Sequence, residues 1–116
     1  MAANQIFIAE APIVVVLCGR KYVNQYSWFG ECMYLLEAAI SMDHLVLAAR
    51  NEGLGTCWVG AFDKWGIEEL LDIPPDFPPV MLTPLGYPKD KIAFSEVIDR
   101  KPINEICYSE KFGNRS

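Results

Sequence analysis

The chain has 116 residues, 52% of them hydrophobic, and a formal net charge of -5. That length predicts one domain, and the acidic balance argues against nucleic acid and against an anionic membrane, both of which call for a basic face. Four cysteines, Cys18, Cys32, Cys57 and Cys107, include no CxxC pair, and with the one histidine, His44, they offer neither a zinc-binding spacing nor a disulfide framework.

More apolar surface than one small core needs points to an interface. The start, MAANQIFIAEAP, has no basic segment of the kind that opens a signal peptide. No run approaches the roughly 20 apolar residues of a membrane span. The expectation is a reduced, cytoplasmic protein, with Cys18 and Cys57 inside strands as small buried hydrophobes.

In chain order, residues 4–9 suit a short helix that Pro12 stops. Residues 13–18, IVVVLC, form an unbroken apolar run, as in a strand covered on both faces. An aromatic, polar connection, residues 24–30, follows, with Tyr26, Trp28 and Phe29 suited to packing or to a pocket wall. Ser27 is a candidate N-cap. The next helix begins near Trp28 or after Gly30. That helix is apolar on more than one face (Leu36, Ala39, Ile40, Leu45, Val46, Leu47), which implies burial on more than one side. Asp43 and His44 are its polar interruptions. His44 reads as a hydrogen-bonded core residue before it reads as a catalyst, and Asp43 as a capping group or an ion-pair partner.

Arg50 in the last turn suits the helix dipole, and Gly53 supplies a stop. Residues 56–62 then read as a strand. Asp63 is the expected N-cap of a helix over residues 64–71, with Ile67, Leu70 and Leu71 at helical spacing. A strand is expected over 80–87, where Pro84 implies an edge, a bulge or a local break. Residues 89–91 form a charged turn. The tail is mostly extended with one helical turn, and its spread-out Ile98, Ile103, Ile106, Tyr108 and Phe112 have little of the chain to pack on.

The segment EGLGTCWVGAF, preceded by an alanine-rich helix and followed by IEELLDIP and PLGYP, resembles the nitroreductase family of flavin mononucleotide (FMN) enzymes. The likeness runs from IAEAPIVVVLCG to RKPINEI. An Arg-rich opening and a PSxxNxQPW-type segment, usual in that family, are not in this sequence, so the resemblance is to the C-terminal two-thirds of such a protein. It implies an α+β fold over residues 1–116, a small mixed sheet with packed helices forming a partial nitroreductase-like domain. It also implies a homodimer built through the central helix and the tail. NAD(P)H would be co-substrate, and a nitroaromatic, quinone or similar acceptor would follow in a ping-pong cycle.

Side-chain chemistry is otherwise scarce: no nucleophile–base pair, paired carboxylates, metal cluster or P-loop can be read. The glycines Gly53 and Gly55 end a helix, whereas a phosphate cradle starts one. A bound flavin would explain the scarcity, since the cofactor carries the redox chemistry. By the resemblance, Trp58, Val59, Gly60 and Ala61 lie along the flavin, with the Gly60 N–H toward N5 and no side chain to block a close approach. Arg100 in DRKP corresponds to a family position on the FMN phosphate, apt for a bidentate contact. Ile98 stands where a second basic residue is usual. The competing readings are a buried strand end for the WVGA segment, a solvated surface residue for Arg100, and, for the whole chain, a truncated or degenerate non-catalytic relative that dimerises or binds another ligand. In a further reading, a separate polypeptide supplies the missing part.

Overall fold

The computed structural model describes residues 5–23 and 28–115; Ser27 and Tyr26 lie outside them. The valine-rich run forms β1, Ile13–Cys18. It pairs antiparallel with β3, Pro79–Gly86, which in turn pairs with the two-residue β2, Gly55–Thr56, in the order β1-β3-β2. The architecture is α+β as expected, with an antiparallel rather than a mixed sheet.

Two strand expectations need correction. β1 was expected to be covered on both faces, but it is an edge strand, with Ile13 and Val14 exposed. Pro84 was expected at an edge or break, but it lies buried in the central strand opposite Val14. The N–H and C=O of Leu82 face Val59, each bonding at about 3 Å. Alternation along the strand turns the Pro84 nitrogen to that same side. There β2 has already ended, so the missing N–H breaks no ladder bond.

A short helix, α1 (Phe7–Glu10), precedes β1. A 3-10 turn over Gly30–Cys32 leads into α2, Met33–Asn51, so the long helix begins after Gly30. Its C-terminus closes as the sequence predicted. Gly53 adopts φ +73°, its N–H donates to Arg50, and the Leu54 N–H reaches back to the Ala49 carbonyl at 2.8 Å.

The all-round burial expected of α2 is not found within the chain. Only Ala38, Met42 and Ala49 are buried, while Leu35, Leu36, Ile40 and Leu47 are exposed. A sheet of three strands covers one face of a helix and leaves the rest bare. His44 and Asp43 are exposed as well, so His44 is not a core residue.

The stretch Gly30–Asn51 is long and apolar enough to cross a membrane by length and composition, its most apolar 18-residue window having a mean hydropathy of 1.4. This corrects the expectation that no run approaches that length. Asp43, near its middle, would cost about 2.5–3.5 kcal/mol at a bilayer centre, and its Met42 face packs inward at 0% exposure.

Asp63 accepts from the Gly66 N–H at 3.1 Å and starts α3, Lys64–Leu70. A further 3-10 turn spans Lys91–Phe94, in place of the charged turn, and α4, Ile103–Ile106, is the single turn expected in the tail. Residues 95–107 are exposed throughout. The radius of gyration, 17.7 Å, exceeds the roughly 13 Å of a compact chain of this length. The buried apolar core of the described residues is correspondingly small: Ala38, Met42, Ala49, Val59 and Leu82.

Candidate functional site

The expected strand over residues 56–62 holds ladder geometry only at Gly55–Thr56. The chain then leaves β3, and the Cys57 N–H donates to the Thr83 hydroxyl at 3.0 Å. It returns to bridge Val59 to Leu82. Val59, 2% exposed, anchors the segment in the core. Trp58, Gly60 and Ala61 on either side of it are exposed. The segment is thus pinned at Cys57 and Val59, and Trp58, Gly60 and Ala61 are left open to solvent. This sets aside a fully buried strand end as the reading of the segment.

Gly60 bears directly on whether a planar cofactor fits here. A methyl group built on its α-carbon would meet nothing within 4 Å. Packing inside the chain therefore does not demand glycine at this position. Among the described residues the Gly60 N–H has no acceptor. An exposed N–H without a neighbouring side chain, next to a half-exposed indole, suits the edge and face of a flat, conjugated ring. The chain's own residues fit a flavin ring at this point.

Arg100 lies in the exposed segment after β3. Its N–H donates to Ile98 at 3.1 Å, and no described contact joins its side chain to residues 58–61. Trp58, Val59, Gly60 and Ala61 thus stand together, and among the described residues Arg100 makes no hydrogen bond or ion pair with them.

Titratable chemistry near the segment is sparse, since residues 58–61 carry no ionisable side chain. Asp63 has its carboxyl held below the usual range, chiefly by the Gly66 N–H. Burial, and secondarily the charge of Glu68, pushes the Cys18 thiol up. The four cysteines are exposed and free, which corrects the placement of Cys18 and Cys57 in a core.

Three features had no signal in the sequence. Thr83, fully buried, fixes Cys57. An apolar groove of about 560 Å³ runs between α1, β1 and α3, lined by Ile8, Val14, Val16, Ile67, Leu70 and Leu82 among others. The Arg50 guanidinium lies 3.9 Å from the Phe94 ring centre. Each pairs residues far apart in sequence, and no local pattern encodes such a pair.

Comparison with known proteins places this geometry. The family model described as nitroreductase family matches residues 1–87. The chain is 29% identical over 97 residues to a protein of Archaeoglobus fulgidus that bears the provisional name NADH dehydrogenase/NAD(P)H nitroreductase, covering 80% of this chain and 54% of that one. A crystal structure of a nitroreductase family protein from Clostridium novyi NT is 38% identical with a TM-score of 0.62, over 90% of this chain and 54% of the other. A solved structure described as an oxidoreductase containing FMN shares the fold at 22% identity and a TM-score of 0.72, over 97% of this chain and 61% of its own. The chain spans about half the length of the curated relatives it matches.

Proposed function

Since the chain belongs to the nitroreductase family, we propose that it is an FMN-dependent oxidoreductase that takes reducing equivalents from NAD(P)H and passes them to a nitroaromatic, quinone or similar acceptor. The single observation that carries this reading is the exposed Trp58–Ala61 backbone, held from below by Val59 and open at Gly60. Bound FMN would supply the hydride chemistry.

The chain's own residues would bind and orient. The Gly60 N–H would donate a hydrogen bond to the ring edge, Trp58 would pack along it, and Ala61 would keep the approach unobstructed. Arg100 would hold the phosphate. Its place in the exposed tail, which the chain's own sheet leaves uncovered, suits a site completed by a second copy of the chain, so the active unit is proposed to be a homodimer. The bare apolar faces of β1 and α2 support the same assembly. The proposal also takes residues 1–116 as one domain and places the protein in the cytoplasm.

Titration of the purified protein with FMN tests the reading, followed by NAD(P)H-dependent bleaching of the flavin absorbance. Saturable yellow protein that bleaches and recovers with an acceptor supports it; protein that stays colourless with FMN in excess overturns it. The second reading, a non-catalytic relative that dimerises or binds another ligand, is favoured by the bare apolar faces of β1 and α2, which suit assembly with or without a cofactor. A colourless dimer would establish it.

A further inference from the structure

The chain leaves β3 through a short, heavily tied segment. The Lys89 ammonium pairs with Glu10 of α1 at 2.6 Å. Asp90 accepts from the Ile92 N–H at 2.8 Å and starts the 3-10 turn Lys91–Phe94. The Ser95 hydroxyl closes that turn onto the Ile92 carbonyl at 2.8 Å. Phe94, half-buried, lies under the guanidinium of Arg50, 3.9 Å from charge centre to ring centroid. Arg50 stands in the last turn of α2. Beyond Ser95 the chain runs exposed through residue 107.

We infer that Arg50 is a positioning residue, and that its grip on Phe94 fixes the direction in which the tail, and Arg100 with it, leaves the body of the protein. The two anchors do different work. Lys89–Glu10 is an exposed ion pair, screened by salt and weak on its own. The guanidinium–ring stack is geometrically selective, because a planar cation over a ring face tolerates little rotation. It also holds the last residue of the turn, next to the point where the tail becomes exposed. Releasing it frees the tail to swing while the sheet stays intact. The consequence for cofactor phosphate rests on the proposed role of Arg100; the motion of the tail does not.

The test is amide NMR relaxation on the full chain, comparing wild type with Arg50→Ala, Phe94→Leu and Phe94→Tyr. A cation–π contact at an exposed site biases docked over released tail by roughly two- to five-fold. Heteronuclear NOE values for residues 95–101 should therefore fall in Arg50→Ala and Phe94→Leu and hold in Phe94→Tyr, while the amide shifts of β1 and β3 stay put. Unchanged tail dynamics in both loss variants, with the sheet intact, would overturn the inference. Should either loss variant fail to fold, Arg50→Lys, which keeps charge but loses the planar stack, gives the same comparison. In parallel, FMN affinity separates the two readings. Failure of wild type to bind FMN removes the function and leaves the clamp standing; normal binding with an unresponsive tail removes the clamp and leaves the function.

Discussion

The backbone N–H of Cys57 donates to the hydroxyl of Thr83 at 3.0 Å, and that hydroxyl donates in turn to the Pro84 carbonyl at 2.9 Å. A proline in the central strand has no N–H to offer the neighbouring chain. Beside it the Thr83 hydroxyl bridges the Cys57 N–H to the Pro84 carbonyl, so the segment leaving β2 stays attached beyond the end of the ladder. Exposure of Trp58, Gly60 and Ala61 follows from this arrangement. A regular strand would have run them along β3 as one more edge.

Removing that acceptor is the first prediction. Thr83→Val keeps the shape and deletes the hydroxyl, leaving the Cys57 N–H without its partner. It should lower stability by about 1–2 kcal/mol and weaken FMN binding by loosening the segment, whereas Thr83→Ser should retain most of both. Urea denaturation and flavin titration on the same samples check it.

Gly60→Ala should separate cofactor binding from folding. Its new methyl group meets nothing in the chain, so stability should change by less than about 0.5 kcal/mol. Flavin affinity should nonetheless fall, since the methyl enters the space proposed for the ring. Gly19→Ala is the contrasting case, because there the methyl group collides with the Tyr34 ring. Overpacking of that kind costs about 1–3 kcal/mol. Equal flavin affinity in wild type and Gly60→Ala would remove residues 58–61 from the site.

Arg100→Ala should leave the melting temperature unchanged, because the residue is exposed and lies outside the sheet. A lost charge-assisted contact to phosphate is worth about 1.5–3 kcal/mol, so FMN affinity should fall roughly ten- to one-hundred-fold. Riboflavin, which lacks the phosphate, should bind wild type and variant alike. A matching loss for riboflavin would assign Arg100 some other role.

The Asp63 cap makes the start of α3 acid-sensitive. Its folded pKa is lowered, first by the Gly66 N–H. Its stabilising contribution is therefore fully present above the ordinary carboxylate pKa, about 3.9, and is lost as pH falls through the lower, folded value. Asp63→Asn keeps an acceptor for the cap but has no charge to lose. Thermal melts at pH 7 and below pH 3 should differ less for Asp63→Asn than for wild type, and an equal acid loss would place the acid sensitivity elsewhere.

Local patterns carried much of the secondary structure. The valine run marked β1 to the residue. Asp63 and Gly53 marked a helix start and a helix stop because capping and positive φ are properties of single residues and their immediate neighbours. The pattern misled where pairing decides. TCWVGAF carries the strand formers Thr56, Trp58, Val59 and Phe62, yet it continues a strand only at Thr56, since β propensity becomes structure only when a partner strand offers bonds in register. Cys18, Cys57 and His44 were assigned to a core by their apolar neighbours, and the three-stranded sheet proved too small to cover them.

By itself the sequence determined the stop of α2 at Gly53, the start of α3 at Asp63, the β1 run and the WVGA segment whose resemblance named the family, because each is written in residues adjacent along the chain. Only the tertiary structure decided that β3 is central, that Thr83 holds Cys57, that Gly60 faces open space and that Arg50 grips Phe94. Those relations join residues distant in sequence. They are set by which surfaces the small sheet can cover, and a linear pattern does not specify that.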